Sequence, residues 1–337
     1  MPKLSQEIDS RIPVTVLTGF LGAGKTTLLN HVMTANHGEK IAVIINEYGE
    51  VGIDNQLVVG ADEEIFEMNN GCICCTVRGD LIRILNELME AKNGNSHRKQ
   101  VHFDRVLIET TGLADPAPVA QTFFVDENIA EQYKLDAIVT VVDAKHAEDQ
   151  LDKGHEAQEQ VAFSDVLLVN KVDLISEEEL HKLEKRLKIM NPAAKLYRTE
   201  QSSVDLKKIL GINAFELDKK LELDPDFLNS HEDDHEHDDE VKSIFFREDR
   251  PLDLDKMERF LKEWLTEHGA DTLRYKGVLH INGVKQRIIF QGVHMLFASA
   301  PDRNWKSDEI PRSEFVIIGR NLDEAWFKSQ FAACVAS

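Results

Sequence analysis

Gly19-Phe20-Leu21-Gly22-Ala23-Gly24-Lys25-Thr26 fills every fixed position of the phosphate-cradling pattern G-x-x-x-x-G-K-[ST]. An apolar run at 12–17 precedes it and reads as a buried strand, and a helix-like segment at 26–33 follows. That strand, loop and helix corner is the context the pattern requires. A polyphosphate needs several N–H donors converging at short range, and Gly22 and Gly24 let the backbone approach with no Cβ in the way. The following helix turns its partly positive end toward the same phosphates, Lys25 reaches the β and γ oxygens, and the Thr26 hydroxyl is placed to ligate Mg²⁺. Gly19, Ala23 and Thr27 complete the expected cradle.

Downstream, buried strands alternate with helical stretches, which predicts a mainly parallel sheet covered on both faces. The strand at 40–45 runs into Asn46-Glu47-Tyr48-Gly49-Glu50-Val51-Gly52-Ile53-Asp54, a polar loop at the expected ligand edge. It occupies the place of a first switch loop, with Glu50 and Asp54 as candidate carboxylates for Mg²⁺ or a second metal. A strand ending at Glu109 delivers Glu109-Thr110-Thr111-Gly112 to the same edge. An acid followed by x-x-Gly senses a γ-phosphate: the carboxylate holds Mg²⁺ through water and the glycine N–H meets the phosphate. Lys25, Thr26 and Glu109 are therefore the candidates for charge stabilisation and Mg²⁺ placement. No water-positioning glutamine or arginine finger has a sequence signature here, so hydrolysis is expected to be slow without a partner or added ion.

Two further strands are expected at 136–142 and 165–169, the second ending in Asn170-Lys171-Val172-Asp173. N-K-x-D at a strand end, well after a phosphate loop, reads guanine. The Asp173 carboxylate accepts from the base N1–H and N2–H₂, which adenine lacks in that arrangement. Ser176-Glu177-Glu178-Glu179 then opens a helix with a capping-box look, and a short strand at 195–198 and a helix around 204–210 close this domain.

Three of the four cysteines crowd into Cys72-Ile73-Cys74-Cys75, just ahead of a helical run at 77–92. A helix N-terminus lowers a thiol pKa and favours the thiolate that binds metal. Three thiolates in four residues close part of a tetrahedral site, with the fourth ligand drawn from elsewhere or left open for exchange. Zinc suits such a site, and ligand type also admits Cu(I), Co(II) and Fe(II). Disulfides are not expected, and the compartment expected is the cytosol.

The division expected is a nucleotide domain over 1–210, an acidic linker over 211–240, and a second domain over 241–337. The linker ends in a tract with three histidines among seven acids, either a weak divalent-metal collector or a solvated tether. Beyond it the texture becomes α+β. A helix at 253–268 precedes strands at 274–281, 286–290, 293–298 and 314–319, with Asn282-Gly283 marking a hairpin turn. His280 and His294 fall inside strand patterns and read as core or surface residues rather than ligands.

A hydrophobic content of 42% over 337 residues is enough to build two cores. The formal net charge of −21 argues against nucleic acid or an anionic membrane as the main partner, since either would be repelled. No run approaches the ~18 apolar residues of a membrane span.

Together, residues 19–26, 46–54, 71–76, 109–116 and 170–173 resemble the CobW-like family of metal-handling P-loop GTPases. Leu273-Arg274-Tyr275-Lys276-Gly277 and Phe290-Gln291-Gly292-Val293 look like that family's second domain. The resemblance implies a GTPase that binds zinc, or cobalt or another transition ion, at Cys72, Cys74 and Cys75 and delivers it to a client metalloprotein. Some members carry an additional acid just before the Asn-Glu pair. This chain has Ile45 there, so Glu50 and Glu47 are its candidates for an added carboxylate ligand. The order of motifs also suggests a mechanism: γ-phosphate and Mg²⁺ draw the switch loops inward and gather the cysteines around the metal. Two rival readings are a metal buffer with vestigial nucleotide binding, and a regulatory GTPase with a structural thiolate site.

Overall fold

A computed structural model describes residues 9–46, 65–68, 75–95, 100–215 and 241–336. The first sheet contains β1 (Ile12–Thr18), β2 (Ile41–Asn46), β3 (Ile65–Met68), β4 (Arg105–Glu109), β5 (Tyr133–Asp143), β6 (Val166–Asn170) and β7 (Lys195–Thr199). Its spatial order is β3-β2-β4-β1-β5-β6-β7, and every pairing is parallel. Parallel sheets need cover on both faces, which is why the central strands read as continuous apolar runs. Alternate residues divide between two cores. Val14, Val16, Ala42 and Ile44 pack with Leu81, Leu85 and Leu88 of α2 (Cys75–Lys92). Leu17, Val43 and Ile45 pack with Leu28 and Leu29 of α1 (Lys25–Thr34).

The remaining helices of this part are α3 (Ala117–Val125), α4 (Glu127–Gln132), α5 (Ala147–Lys153), α6 (His155–Phe163) and α7 (Glu177–Met190). The expected capping box is present: the Ser176 hydroxyl accepts from the Glu179 amide, and the Glu179 carboxylate accepts from the Ser176 amide at 2.7 Å. The helix expected around 204–210 is instead a single 3₁₀ turn, Leu206–Lys208. Asp205 accepts from the Lys207 amide two residues on, a local bond that competes with helix propagation, and Gly211 at φ +67 ends the turn.

The second sheet is antiparallel, in the order β11-β10-β9-β12-β8: β8 (Val241–Glu248), β9 (Thr272–Leu279), β10 (Gln286–Val293), β11 (Leu296–Asn304) and β12 (Ser313–Arg320). Helices α8 (Leu254–His268) and α9 (Glu324–Ala333) cover one face with Met257, Phe260, Trp264, Phe327 and Phe331. Trp264 is fully buried and its indole N–H donates to the Thr272 hydroxyl at 2.9 Å. Strand limits differ from expectation: β9 spans Thr272–Leu279 rather than 274–281, β10 continues to Val293, and β11 starts only after a turn in which His294 takes φ +52 and runs to Asn304.

The opposite face of this sheet joins the first body. Val241, Leu273, Val316 and Ile318 belong to the same apolar cluster as β1 and α2. Arg274 donates to the Asp165 carboxylate and the Phe163 carbonyl, and the Ser243 hydroxyl donates to the Ile189 carbonyl at 2.7 Å. Residues 211–215 are held between the two bodies. The amides of Gly211 and Asn213 donate to the fully buried Asp136 carboxylate, Lys276 donates to the Ala214 carbonyl, and Arg274 lies over the Phe215 ring.

Candidate functional site

The C-terminal ends of β1, β2, β4, β5, β6 and β7 share one edge, where open α/β sheets bind ligands. Gly19 there has φ +138, and a Cβ on it would lie 2.3 Å from the Val141 carbonyl oxygen. Gly24, at φ +115, presses on the end of β6 and the loop after β7: a Cβ on it would meet Asn170 Nδ2 at 2.6 Å and Ser202 Oγ at 2.7 Å. Lys25 is 8% exposed, and its ammonium straps the loop by donating to the carbonyls of Gly19 at 2.6 Å and Phe20 at 3.1 Å. No side chain caps α1 and its first turn carries no acid, which leaves its amides oriented toward an anion. Thr27, on that turn, is exposed.

The Thr26 hydroxyl donates to Glu109 Oε1 at 3.4 Å, across from the first turn of α1 to the end of β4. A hydroxyl and a carboxylate brought together beside a phosphate cradle form the hard-oxygen donor set that Mg²⁺ prefers, so the residues fit that ion. Gly112, three residues on, is buried. A Cβ there would stand 2.7 Å from the Leu21 backbone nitrogen, so this loop rests directly on the phosphate loop.

Asn170 acts as a rivet. Its Nδ2 donates to the Ala23 carbonyl (2.9 Å) and to Ser202 Oγ (3.1 Å). Its Oδ1 accepts from the Thr199 hydroxyl (3.1 Å) and the Ser202 amide (2.8 Å). Lys171 adopts φ +63 and reaches back to the Gly22 carbonyl at 2.7 Å and to Asp143 Oδ2 at 2.6 Å. Burial pushes the Asp143 carboxyl up, but hydrogen bonds from Lys171 and His146 outweigh it and hold the group below its ordinary value. Asp173 lies exposed on the 3₁₀ turn Val172–Leu174, open to a ligand.

Sequence reading missed the loop after β7. Gln201 and Ser202 both have positive φ, 49° and 55°, and Ser202 is fully buried, bonding Gly24 through its hydroxyl at 2.9 Å. Two consecutive left-handed residues normally advertise themselves as glycine or asparagine, and neither stands here. The available signal was position, directly after a strand at the ligand edge.

Of the proposed metal ligands, Cys72, Cys74, Glu50 and Asp54 lie outside the described residues, as does Glu47, and Cys75 is placed as the first residue of α2. Among the described residues no group of three or more His, Cys, Asp or Glu side chains converges as a metal site. The strands that launch these segments are placed: Asn46, the end of β2, pairs with Met68, the end of β3, and Ile45 pairs with Glu109. The strand ends that precede residues 47–54 and 69–74 are therefore neighbours in the sheet. His280 and His294 do pack, against Trp305 (5.8 Å) and Phe163 (5.3 Å), and burial lowers the pKa of both.

Glycine cradle, Thr26–Glu109 pair and Asn170 rivet on a parallel sheet define a P-loop nucleotide-binding domain. The chain belongs to the CobW family: residues 13–198 match the model of the CobW/HypB/UreG nucleotide-binding domain, and residues 241–335 match that of the cobalamin synthesis protein cobW C-terminal domain. It is 40% identical to the zinc chaperone YjiA of Escherichia coli over 95% of this chain and 98% of that one. It is 31% identical to the zinc-regulated GTPase metalloprotein activator 1 of Dictyostelium discoideum, over 96% of this chain and 80% of that one. The crystal structure of Zn(II)-bound YjiA GTPase superposes with a TM-score of 0.77 at 34% identity, covering 97% of this chain and 99% of the other. No helix among the described residues is long and apolar enough to cross a membrane.

Proposed function

We propose that this chain is a GTP-hydrolysing metallochaperone that binds a transition metal, zinc first, through Cys72, Cys74 and Cys75 and passes it to a client metalloprotein in a nucleotide-dependent way. The observation that carries this reading is the pairing of Asn46 with Met68 and of Ile45 with Glu109, which starts both switch loops and the cysteine segment from adjacent strand ends. The YjiA and Dictyostelium relatives, named as a zinc chaperone and a zinc-regulated GTPase activator, support the same class.

The reaction is GTP and water to GDP and phosphate. The cradle amides and Lys25 bind and orient the β and γ oxygens, and the exposed Asp173 selects guanine through its two N–H edges. Mg²⁺, held by Thr26 and Glu109 when bound, neutralises phosphate charge. Gly112 presents its amide to the γ-phosphate, so the position of its loop reports whether that phosphate is there. Closing both switch loops draws the cysteine segment together and tightens the metal site, with Glu50 supplying a carboxylate and Asp54 a further contact to Mg²⁺. Thiolates of this kind stay reduced in the cytosol, where this reading places the protein.

Coupling of about 1.4 kcal/mol is enough for a tenfold change in metal affinity, and linkage requires metal to change GTP affinity by the same factor. The test is a competitive Zn²⁺ titration of reduced protein without nucleotide, with Mg-GDP, and with Mg²⁺ and a non-hydrolysable GTP analogue. Binding about tenfold tighter in the analogue state, lost when all three cysteines become alanine, is the expected result. Equal affinity in all three states would overturn the nucleotide gate.

A further inference from the structure

Helix α6 carries a buried glutamine that the reading above does not use. Gln160 is 1% exposed, and its Nε2 donates to two carbonyls of the second switch loop, Gly112 and Ala114, each at 3.2 Å. Gly112 is thus held from both sides, by the Leu21 backbone of the phosphate loop and by this amide. The helix end that bears it is anchored as well, since the Thr140 hydroxyl of β5 donates to the Gln160 carbonyl at 2.9 Å.

The neighbouring residues of α6 face the second sheet. Gln158 Oε1 accepts from the Val241 amide at 3.3 Å, where β8 begins. Glu159 pairs with Arg320 of β12 at 2.9 Å, and Arg320 also reaches the His155 carbonyl at 3.4 Å. Asp115, one residue past Ala114, feels the charges of both Glu159 and Arg320. One short helix therefore touches both the Gly112 loop and the second sheet.

We infer that Gln160 is a positioning residue for GTP hydrolysis, setting the Gly112 loop against the γ-phosphate, and that α6 links the position of that loop to the C-terminal sheet through Glu159 and Arg320. The inference rests on the GTPase reading. Fixing both carbonyls restricts the backbone on either side of Leu113, so the Gly112 amide is aimed before nucleotide arrives. GDP lacks the γ-phosphate, and its binding does not draw on this aim.

The test compares wild type with Gln160→Met, which keeps the side-chain volume but removes the donor. Affinities for GDP and for a non-hydrolysable GTP analogue are measured beside kcat and KM for GTP. The expected result is GDP affinity within about twofold of wild type, analogue affinity reduced about fivefold and kcat reduced about tenfold. A merely structural role would move both affinities in parallel, and that outcome overturns the inference, as does an unchanged kcat. Arg320→Gln, at the surface end of the link, is expected to shift the analogue-to-GDP ratio in the same direction by about twofold, and it decides the matter if Gln160→Met does not fold. Then an unchanged ratio in Arg320→Gln overturns the inference. A wild-type chain that neither binds nor turns over GTP would sink the functional reading itself. Turnover by wild type beside unaltered variants would sink only the role of Gln160 and its helix.

Discussion

At the scale of single residues, the nucleotide edge is built from side chains that satisfy one another before any ligand is considered. Asn170 uses both amide hydrogens and both lone-pair directions on Ala23, Thr199 and Ser202, which makes it a rivet between three loops rather than a base reader. Asp173, three residues on, is exposed and is the residue proposed to read the base. Asp115 carries a measurable cost. Burial raises its carboxyl from 3.8 to about 6, opposed by the Ala117 amide and Arg320 and reinforced by Glu159. An acid with a raised folded pKa adds stability that is complete below its unfolded value and lost as pH rises through about 6. Asp115→Asn keeps an acceptor for the Ala117 amide and removes the titration. Urea unfolding should therefore show the variant roughly 1–3 kcal/mol more stable than wild type at pH 8, the gap closing as pH falls toward 4. A gap that widens on acidification would contradict this account.

At the scale of elements, legibility followed local chemistry more than length, since the nine-residue α6 and the eight-residue β8 drew no expectation from the sequence. The strands at 12–17, 40–45 and 165–169, the helix after the phosphate loop and the capping box at Ser176 were all visible, because each depends on an apolar run or on contacts within one turn. β3 was missed, a four-residue strand whose pairing partner lies elsewhere in the chain, and so was the six-residue α4. The stretch around 204–210 has helix-forming residues but an Asp205 bond that closes a single 3₁₀ turn. Ser176→Ala removes one partner of the capping box and should cost about 1 kcal/mol, seen as a lower urea midpoint at unchanged slope. A midpoint identical to wild type would show that the box adds nothing to α7.

At the scale of the whole molecule, the two sheets share a core rather than hanging on a tether. Arg274 and Asp165 are both nearly buried and pair across the junction, with the Ile138 amide also donating to Asp165 at 2.9 Å. Arg274→Met leaves that carboxylate buried without its guanidinium and should destabilise the chain by about 3 kcal/mol. Differential scanning calorimetry reads it as a lower midpoint, and an unshifted one would mean the pair contributes nothing net. By itself the sequence determined the phosphate cradle, the Asn170-Lys171-Val172-Asp173 motif, the cysteine cluster and the parallel α/β class, because each is a local pattern of residue type and spacing. Only the tertiary structure decided that Glu109 meets Thr26, that Ser202 and Asn170 close the cradle from behind, and that α6 lies between the Gly112 loop and the second sheet. Those contacts join residues 32 to 178 positions apart, and their partners are selected by strand order and by burial of shared apolar faces, which no local pattern records.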